Sequence, residues 1–296
     1  MQTTEERAWQ AIAPIGLAIN FVDLNGSRVF TVTAGTGVTP VVLISGLGDS
    51  TLTWAPILPR LAESCRVIAY DRPGMGASAS VEGPRSLERM ATEVNELIES
   101  LKGEPAVLVG HSLGGPIAVE SFRRRPDLIA GLVLVDSADP AVLSRKSIVA
   151  LQRFSIWLPR AFAAVGLWPR ISRSVARKQA KVTAQDNPFE EALAQGLLEN
   201  LLSDSSRRTS SAELAGLVDG STNALTDVSA DSLDVPLVVL SATKGGTSKN
   251  MRAQWTGNHR ILAESSSQGR HLEIDGGHYL HREQPSAIVD EILAVL

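Results

Sequence analysis

The chain has 296 residues, of which 44% are hydrophobic and 20% charged, and its formal net charge is −4. This composition is that of a globular protein long enough to bury a core without disulfides, so a disordered or collagen-like chain is excluded. With 28 Lys and Arg against 32 Asp and Glu, the overall charge gives no reason to expect a nucleic-acid partner. The single cysteine, Cys65, cannot form an internal disulfide and fits a reducing compartment.

The first residues lack the pattern of a secretory signal. Glu5 and Glu6 lie where such a signal carries only basic residues, and Pro14 interrupts the short apolar stretch that follows. No window of the sequence approaches the roughly 18 uninterrupted apolar residues that cross a bilayer. We therefore expect a cytoplasmic protein without integral membrane contact.

Short β-branched runs alternate with helical patterns through the first half of the chain. Residues 17–24 and 28–33 flank Asn25-Gly26, which predicts a two-residue hairpin. Further strands are predicted at 40–45, 66–70, 105–109 and 131–135, with helices at 54–63, 86–101 and 113–125. Since the later strands are almost continuously apolar, they predict a parallel sheet buried on both faces, with the antiparallel hairpin at one edge.

The alternation of strands and helices stops at Pro140. Residues 140–232 carry only helical patterns, after which strands predicted at 236–241 and 270–274 alternate with helices at 249–263 and 285–296. A helical insertion at this place in an α/β domain predicts a cap. We therefore expect a core formed by residues 1–139 and 233–296 and a cap formed by residues 140–232.

The predicted cap is divided by charge. Residues 141–181 hold nine Lys and Arg and no Asp or Glu, whereas residues 182–234 hold ten acidic residues and two Arg. One interpretation is that the two halves pack together or present solvated faces. The other is that Arg173, Arg177 and Lys181, spaced four residues apart, form a basic ridge that meets an anionic substrate, a subunit or a membrane surface.

A serine follows the strand predicted at 105–109, in Gly110-His111-Ser112-Leu113-Gly114, and a helix comes next. This is the G-x-S-x-G pattern in its strand–turn–helix setting. The turn closes only if the residues two positions away on each side are small, and it directs the helix N-terminus at developing negative charge. We predict that Ser112 is a nucleophile and that the backbone N–H of Leu113 is one donor of an oxyanion hole.

A serine hydroxyl needs an imidazole to accept its proton. Of the five histidines, His278 follows the strand predicted at 270–274 and so lies at the carboxyl edge of the sheet, where sites form. His111 adjoins the serine, but we expect its side chain to point away on that turn. His278 and His281 lack a third-ligand pattern, so we predict no metal site.

Four segments together resemble the α/β-hydrolase fold superfamily, in particular its lid-bearing serine hydrolases and esterases. They are Ser45-Gly46-Leu47-Gly48, Asp71-Arg72-Pro73-Gly74-Met75-Gly76-Ala77-Ser78, the serine turn and Gly277-His278, and the resemblance runs from about residue 20 to 296. It implies a mostly parallel eight-stranded sheet flanked by helices, with an inserted helical cap.

The resemblance also implies roles for two of these segments. His278 occupies the position of the catalytic base, and the backbone N–H of Leu47 that of the second oxyanion donor. Relatives usually carry His-Gly at 45–46, so we expect Ser45 to change the support of this donor but not the donor itself.

The acid of the expected triad departs from the usual pattern. Relatives commonly carry it after the strand that is 236–241 here, yet this chain has no carboxylate between Asp234 and Glu264. Asp136 ends the strand at 131–135, a position that some family members use and that keeps the order Ser, Asp, His. Asp139 and Asp275 remain alternatives, as does a Ser–His dyad with a structural Asp136.

These residues predict a serine hydrolase that cleaves a carboxylic ester or lactone through an acyl-enzyme, without a cofactor. Trp157 and Trp168 of the cap are candidates for substrate binding, and ordinary packing explains them equally well. We expect a small-molecule ester or lactone as the partner, and a homodimer is compatible with the sequence.

Other activities fit the same triad. They include cofactor-free haloperoxidase (perhydrolase) chemistry, amide hydrolysis and C–C bond hydrolysis. Dehalogenases and epoxide hydrolases instead need an aspartate where Ser112 stands. A non-catalytic ligand-binding protein on a hydrolase scaffold is an alternative from a different class.

Overall fold

A computed structural model of the chain describes residues 3–12, 16–101, 105–139, 162, 167–184, 189–220, 233–245 and 248–296. The strands are β1 (Ala18–Leu24), β2 (Ser27–Ala34), β3 (Pro40–Ile44), β4 (Arg66–Tyr70), β5 (Ala106–His111), β6 (Ile129–Val135), β7 (Leu237–Ala242) and β8 (Gly269–Ile274). The helices are α1 (Thr4–Ile12), α2 (Leu58–Leu61), α3 (Leu87–Ser100), α4 (Gly114–Arg124), α5 (Trp168–Ala184), α6 (Glu190–Leu202), α7 (Asp204–Gly220), α8 (Lys249–Ala263), α9 (Leu280–Glu283) and α10 (Pro285–Leu293).

The strands form one sheet in the order β1-β2-β4-β3-β5-β6-β7-β8. β2 pairs antiparallel with β1 and β4, and all later neighbours are parallel. Asn25 (φ 49°) and Gly26 (φ 80°) join β1 to β2 with two left-handed residues, as a two-residue hairpin requires. The predicted eight-stranded, mostly parallel sheet with a hairpin at one edge is confirmed.

The sheet is buried on both faces because its central strands are apolar at nearly every position. In β3, Val41 and Leu43 belong to one core cluster, whereas Val42 and Ile44 belong to the other. Helices α1, α2 and α10 contribute apolar side chains to the first cluster, and α3, α4 and α8 contribute to the second. The resulting arrangement is a helix–sheet–helix sandwich, with the carboxyl ends of the parallel strands at one edge.

Two helical segments differ from the expectations. The helix predicted at 54–63 is instead a 3₁₀ turn at Thr51–Trp54 followed by the short α2, because Pro56 and Pro59 remove backbone donors from the segment. Helix α1, by contrast, has no counterpart in the predicted elements, although its Trp9 is completely buried.

Helix α1 carries a carboxyl group into the interior. Glu5 accepts a hydrogen bond from the Thr51 hydroxyl (2.7 Å) and shares a hydrogen bond with the buried Asp71. Trp9 donates to the same hydroxyl (2.9 Å). Burial and the neighbouring Asp71 hold the pKa of Glu5 well above its usual value, and burial raises the pKa of Asp71 to about 6.

Three helices, α5 to α7, occupy the described part of the segment 140–232, and its division from the core remains a prediction. Arg173, Arg177 and Lys181 are exposed on α5. Within the described ranges, no helix is both long and apolar enough to cross a membrane.

Candidate active site

Ser112 stands on a sharp turn between β5 and α4. Its φ is 50°, in the left-handed region, which costs a non-glycine residue about 1–3 kcal/mol. A Cβ at Gly110 would lie 2.3 Å from the Gly114 carbonyl oxygen, and a Cβ at Gly114 would lie 2.1 Å from the Ile44 oxygen. Only glycine fits these two positions, so the spacing of the pattern follows from the close approach of β3, β5 and α4.

Asp136 directly follows β6, the strand next to β5, at the same height along the sheet as Ser112. Because His111 of β5 is paired with Val135 of β6, the residues that follow them, Ser112 and Asp136, begin their loops side by side. Asp136 also has a left-handed backbone, with φ 40°, and its side chain is completely buried.

The Asp136 carboxylate is held by three groups. Its Oδ2 accepts a hydrogen bond from His278 Nδ1 (2.6 Å), and its Oδ1 accepts one from the Ala242 N–H (3.0 Å). Arg252 of α8 binds both oxygens, with Nη1 2.7 Å from Oδ1 and Nη2 3.2 Å from Oδ2. A bidentate arginine fixes the plane of a carboxylate as well as its charge.

These contacts determine the protonation of Asp136. Burial alone would raise the pKa of Asp136, but the hydrogen bond and charge of His278, together with Arg252, lower it to about 2. Asp136 is therefore an ionised acceptor at neutral pH. Since a carboxylate can only accept, Nδ1 of His278 carries the donated proton, and the lone pair of the neutral ring lies on Nε2.

The loop that carries His278 is anchored from below by His111. The His111 Nε2 atom lies 3.0 Å from the backbone oxygen of His278. Burial and the nearby His278 hold the pKa of His111 well below its usual value, so its ring is neutral, and Nε2–H donates this bond. The sequence predicts that the His111 side chain points away and assigns it no role, yet its ring centroid lies 4.8 Å from that of His278 and the residue lines the cavity described below.

A tight turn follows β3 on the other side of Ser112. The Asp49 N–H donates to the Gly46 oxygen (3.2 Å), and Gly48, the third residue of the turn, has φ 78°. Ser45 accepts a bond from the Trp54 indole (3.0 Å) and donates to the Ser50 oxygen (3.3 Å). The buried hydroxyl of Ser45, which stands where the resemblance leads one to expect a histidine, therefore has both its donor and its acceptor satisfied inside the protein.

The two predicted oxyanion donors border the same space. Among the described residues, the backbone N–H groups of Leu47 and Leu113 have no hydrogen-bond partner. Both residues line a cavity of about 250 Å³ together with Ser112 and His278. The remaining lining residues are Gly46, Asp49, His111, Ala138, Leu214, Leu217, Trp255 and Tyr279. Leu214 and Leu217 come from α7, so a helix of the predicted cap closes over the cavity.

The alternative acids have other partners. Asp139 accepts a hydrogen bond from Asn258, and the exposed Asp275 pairs with Lys244 (2.8 Å) and Thr243 (2.9 Å). Asp136, in contrast, bonds directly to His278. The catalytic roles of Asp136 and His278 remain predictions, but these two residues, which the sequence favours as acid and base, are in direct hydrogen-bond contact.

The sequence predicts two aromatic candidates for substrate binding, Trp157 and Trp168. Trp157 falls outside the described residues. Trp168 begins α5, where its indole N–H donates to the Leu201 oxygen (3.3 Å), and it is not among the residues that line the cavity. The aromatic side chains that do line it are Trp255 and Tyr279, and Trp255 donates to the Ser137 oxygen (2.6 Å).

Arg252 is a further site residue that sequence reasoning missed. A buried carboxylate at a strand end needs a cation or several donors to remain ionised, which was a signal that some basic residue must approach Asp136. The signal does not identify the residue, because Arg252 is 116 positions away along the chain.

Comparison with known proteins agrees with this architecture. A family model described as the alpha/beta hydrolase family matches residues 41–291. A soluble epoxide hydrolase from Corynebacterium sp. (strain C12) is 36% identical over 113 residues, which are 38% of this chain and 39% of that protein. A pimeloyl-[acyl-carrier protein] methyl ester esterase from Sodalis glossinidius is 36% identical over 158 residues, or 53% of this chain and 51% of that protein.

These alignments are partial: this chain spans about two fifths to one half of the length of these curated relatives. Among solved structures, Cfl2 from Burkholderia cenocepacia superposes with a TM-score of 0.72 at 21% identity, covering 94% of this chain and 95% of the other. At that identity the likeness concerns the fold.

Proposed function

The chain belongs to the alpha/beta hydrolase family, and from this premise we propose that it is a serine hydrolase that cleaves a carboxylic ester or lactone. The observation that carries the proposal is the 2.6 Å hydrogen bond between His278 Nδ1 and Asp136 Oδ2, at a cavity that Ser112 also lines. This arrangement places a base with a defined tautomer and a hydroxyl on a strained turn at the same cavity.

In the first half of the reaction, the Ser112 oxygen attacks the carbonyl carbon while His278 Nε2 accepts the hydroxyl proton. Asp136 keeps the ring oriented and stabilises the imidazolium that forms. The N–H groups of Leu47 and Leu113 bind the oxygen that becomes negative. When the carbon–oxygen bond to the leaving group breaks, His278 returns the proton to the departing alkoxide.

In the second half, water attacks the acyl-serine and His278 accepts one of its protons. Collapse of the second tetrahedral intermediate returns the proton to Ser112 and releases the carboxylic acid. For a lactone, the alcohol and the acid are parts of one molecule, so a single hydroxy acid leaves. No metal or redox cofactor takes part in this sequence of steps.

We do not extend the proposal to epoxide hydrolysis, although an epoxide hydrolase is among the relatives. Ring opening by the family mechanism needs an aspartate at the nucleophile position, which Ser112 occupies in this chain. The ester-cleaving relative is therefore the more relevant comparison. The small, mainly apolar cavity of about 250 Å³ further favours short acyl groups.

The test combines labelling with turnover. We expect a fluorophosphonate to label the wild-type chain at Ser112 and to leave a Ser112→Ala variant unlabelled. p-Nitrophenyl esters of graded acyl length, run beside a lactone panel, should show turnover that is highest for short acyl chains or small lactones and absent from Ser112→Ala.

A labelled serine without turnover on either panel would contradict ester and lactone cleavage and direct attention to amide, perhydrolase or C–C bond chemistry. Absence of labelling in a folded wild-type protein would contradict the serine hydrolase proposal itself. In that case the non-catalytic ligand-binding alternative would be favoured.

A further inference from the structure

We propose that Arg72 is a positioning residue that aims the Leu47 N–H at the oxyanion, and that Glu213 of the cap helix α7 holds Arg72 in place. The inference deepens the proposed function and rests on it. It assigns a task to a buried ion pair that takes no part in proton transfer.

Arg72 and Glu213 form a deeply buried ion pair beside the site. Their side chains are 1% and 0% exposed. Arg72 Nε donates to one Glu213 oxygen (2.7 Å) and Nη2 to the other (2.9 Å). This two-point contact fixes the plane of the guanidinium group, which a lysine ammonium could not reproduce.

The other edge of the guanidinium group faces the turn after β3. Arg72 Nη1 donates to the Ser45 oxygen (2.5 Å), and Nη2 donates to the Gly46 oxygen (2.9 Å). Arg72 therefore joins the carboxylate of a cap helix to two successive backbone carbonyls of the core.

The geometry of the peptide bond converts this contact into an orientation of the oxyanion donor. The Gly46 carbonyl and the Leu47 N–H belong to the same planar peptide group, and in a trans peptide they point in opposite directions. The peptide bonds of the described residues are all trans. With the Gly46 oxygen held by Arg72 and the Asp49 N–H, the Leu47 N–H is directed away from Arg72. Leu47 itself lines the cavity.

Stability alone does not explain the pair. A buried ion pair recovers little more than the cost of removing two charges from water, and well-packed apolar side chains often stabilise a fold as well or better. A fixed guanidinium plane, in contrast, holds backbone carbonyls in a way that apolar side chains cannot. Glu213 also precedes Leu214, so a helix that lines the cavity also holds Arg72.

The chain offers a matched control in Arg85. This arginine is also 1% exposed, and its Nη2 atom lies 3.9 Å from the same Glu213 carboxylate. Its hydrogen bonds go to Glu93, however, and it has no contact with Ser45 or Gly46. Replacing Arg85 thus removes a buried cation from the same cluster without touching the oxyanion turn.

The experiment compares the double variant Arg72→Met/Glu213→Leu, which leaves no unpaired buried charge, with Arg72→Lys and Arg85→Met. Active sites are counted from the endpoint of fluorophosphonate labelling, so that misfolded protein does not enter kcat. An arylboronic acid serves as the transition-state mimic, because its tetrahedral adduct on Ser112 presents a negative oxygen to the Leu47 N–H.

For the double variant we expect kcat per active site to fall about 100-fold, the loss typical of one misplaced oxyanion donor. The inhibition constant of the boronic acid should rise by a similar factor, while KM changes little. Arg72→Lys should be intermediate, and Arg85→Met should retain kcat and boronic acid affinity within about threefold even if its melting temperature falls.

Two results would overturn the inference while leaving the proposed function intact. One is a double variant that melts at a lower temperature but keeps its kcat and its boronic acid affinity. The other is an equal loss in Arg85→Met. A wild-type protein without Ser112-dependent turnover would refute the proposed function, and the role of Arg72 at an oxyanion would be refuted with it.

Discussion

Buried carboxyl groups behave in opposite ways in two regions of this molecule. At the candidate active site, Asp136 is held by Arg252 and His278, and its pKa is lowered to about 2. Beneath α1, Glu5 and Asp71 face one another, and burial raises the pKa of Asp71 to about 6. The same type of side chain is thus kept ionised in one region and partly protonated in the other.

The difference lies in the partners rather than in the burial. Asp71 accepts hydrogen bonds from the N–H groups of Thr51 (2.7 Å) and Ala77 (2.8 Å), which offset only part of the cost of burial. Among the described residues, no cation forms a hydrogen bond with Glu5 or Asp71. A cation at the carboxylate therefore decides whether a buried acid can serve as a permanent negative charge, as an orienting acid must.

The sharpest way to break this comparison is Asp136→Asn. An amide at this position cannot stabilise the imidazolium, and it favours the wrong tautomer of His278. We expect kcat on a short acyl ester to fall by about 10⁴-fold, the loss seen when a comparable triad carries this change. Steady-state kinetics with active sites counted by labelling measures the effect.

Asp275→Asn is the matched control, because Asp275 is the alternative acid nearest to His278 in sequence but is exposed and paired with Lys244. It should retain kcat within about twofold. An Asp275→Asn variant that loses as much as Asp136→Asn would reverse the assignment of the acid.

A second change, Arg252→Met, removes the cation that binds Asp136. The environment of Asp136 then becomes more like that of Glu5 and Asp71, which have no such cation among the described residues. Because the pKa of Asp136 is about 2 in the folded chain and about 3.9 when unfolded, its ionisation stabilises the fold above pH 4, and this stability is lost as pH falls toward 2. We expect the variant to be about 2 kcal/mol less stable at pH 6, with the difference shrinking toward pH 2.

Urea unfolding between pH 2 and pH 6 measures this difference, and Arg260→Met is its control. Arg260 lies on the same helix, is 57% exposed and pairs with the exposed Glu273 (3.2 Å), so its loss should change the unfolding free energy by less than about 1 kcal/mol. Equal, pH-independent losses in both variants would show that Arg252 does not act through the charge of Asp136.

The smallest expected effect is that of Glu5→Gln beneath α1. In the wild-type chain, the raised pKa values of Glu5 and Asp71 mean that the folded state holds a proton that the unfolded state releases. Stability contributed by that proton is present below about pH 4 and declines as pH rises through the raised pKa values of the two carboxyl groups. A glutamine amide can donate to Asp71 without this proton, so the variant should be about 1 kcal/mol more stable than wild type at pH 8.

Melting temperatures at pH 4, 6 and 8 test this expectation, with Glu6→Gln as the neighbouring control. Glu6 is partly exposed and bonds to the backbone of Thr3, so its replacement should preserve the wild-type pH dependence. If Glu5→Gln were destabilised to the same degree at all three pH values, Glu5 and Asp71 would not share a proton.

Much of the fold could be predicted because its signals are local. Each predicted strand lies within one or two residues of the observed one, since most of the strands are short, mainly apolar runs. The turn at Ser112 follows from Gly110 and Gly114, which the approach of neighbouring backbones requires. Helix α1 was missed because its apolar residues are few, and the burial of Trp9 depends on contacts such as that with Thr51.

The electrostatic support of the site could not be predicted in the same way. Arg252 and Asp136 are 116 residues apart, and Arg72 and Glu213 are 141 residues apart. Nothing in the local pattern around Arg72 distinguishes a residue that holds a backbone carbonyl from one that only pairs with a surface acid. Such partnerships depend on which loops the sheet order brings together.

The left-handed backbone at Ser112 has a consequence for the evolution of the chain in the laboratory. Glycine at this position would relieve the steric conflict, so a library screened only for survival of heating should accumulate Ser112→Gly. Asp136 has a left-handed backbone too, but its carboxylate pairs with Arg252, so its replacement should not accumulate. Adding a demand for turnover to the same screen should remove Ser112→Gly. The contrast between the two screens would measure how much heat tolerance this protein gives up to keep its chemistry.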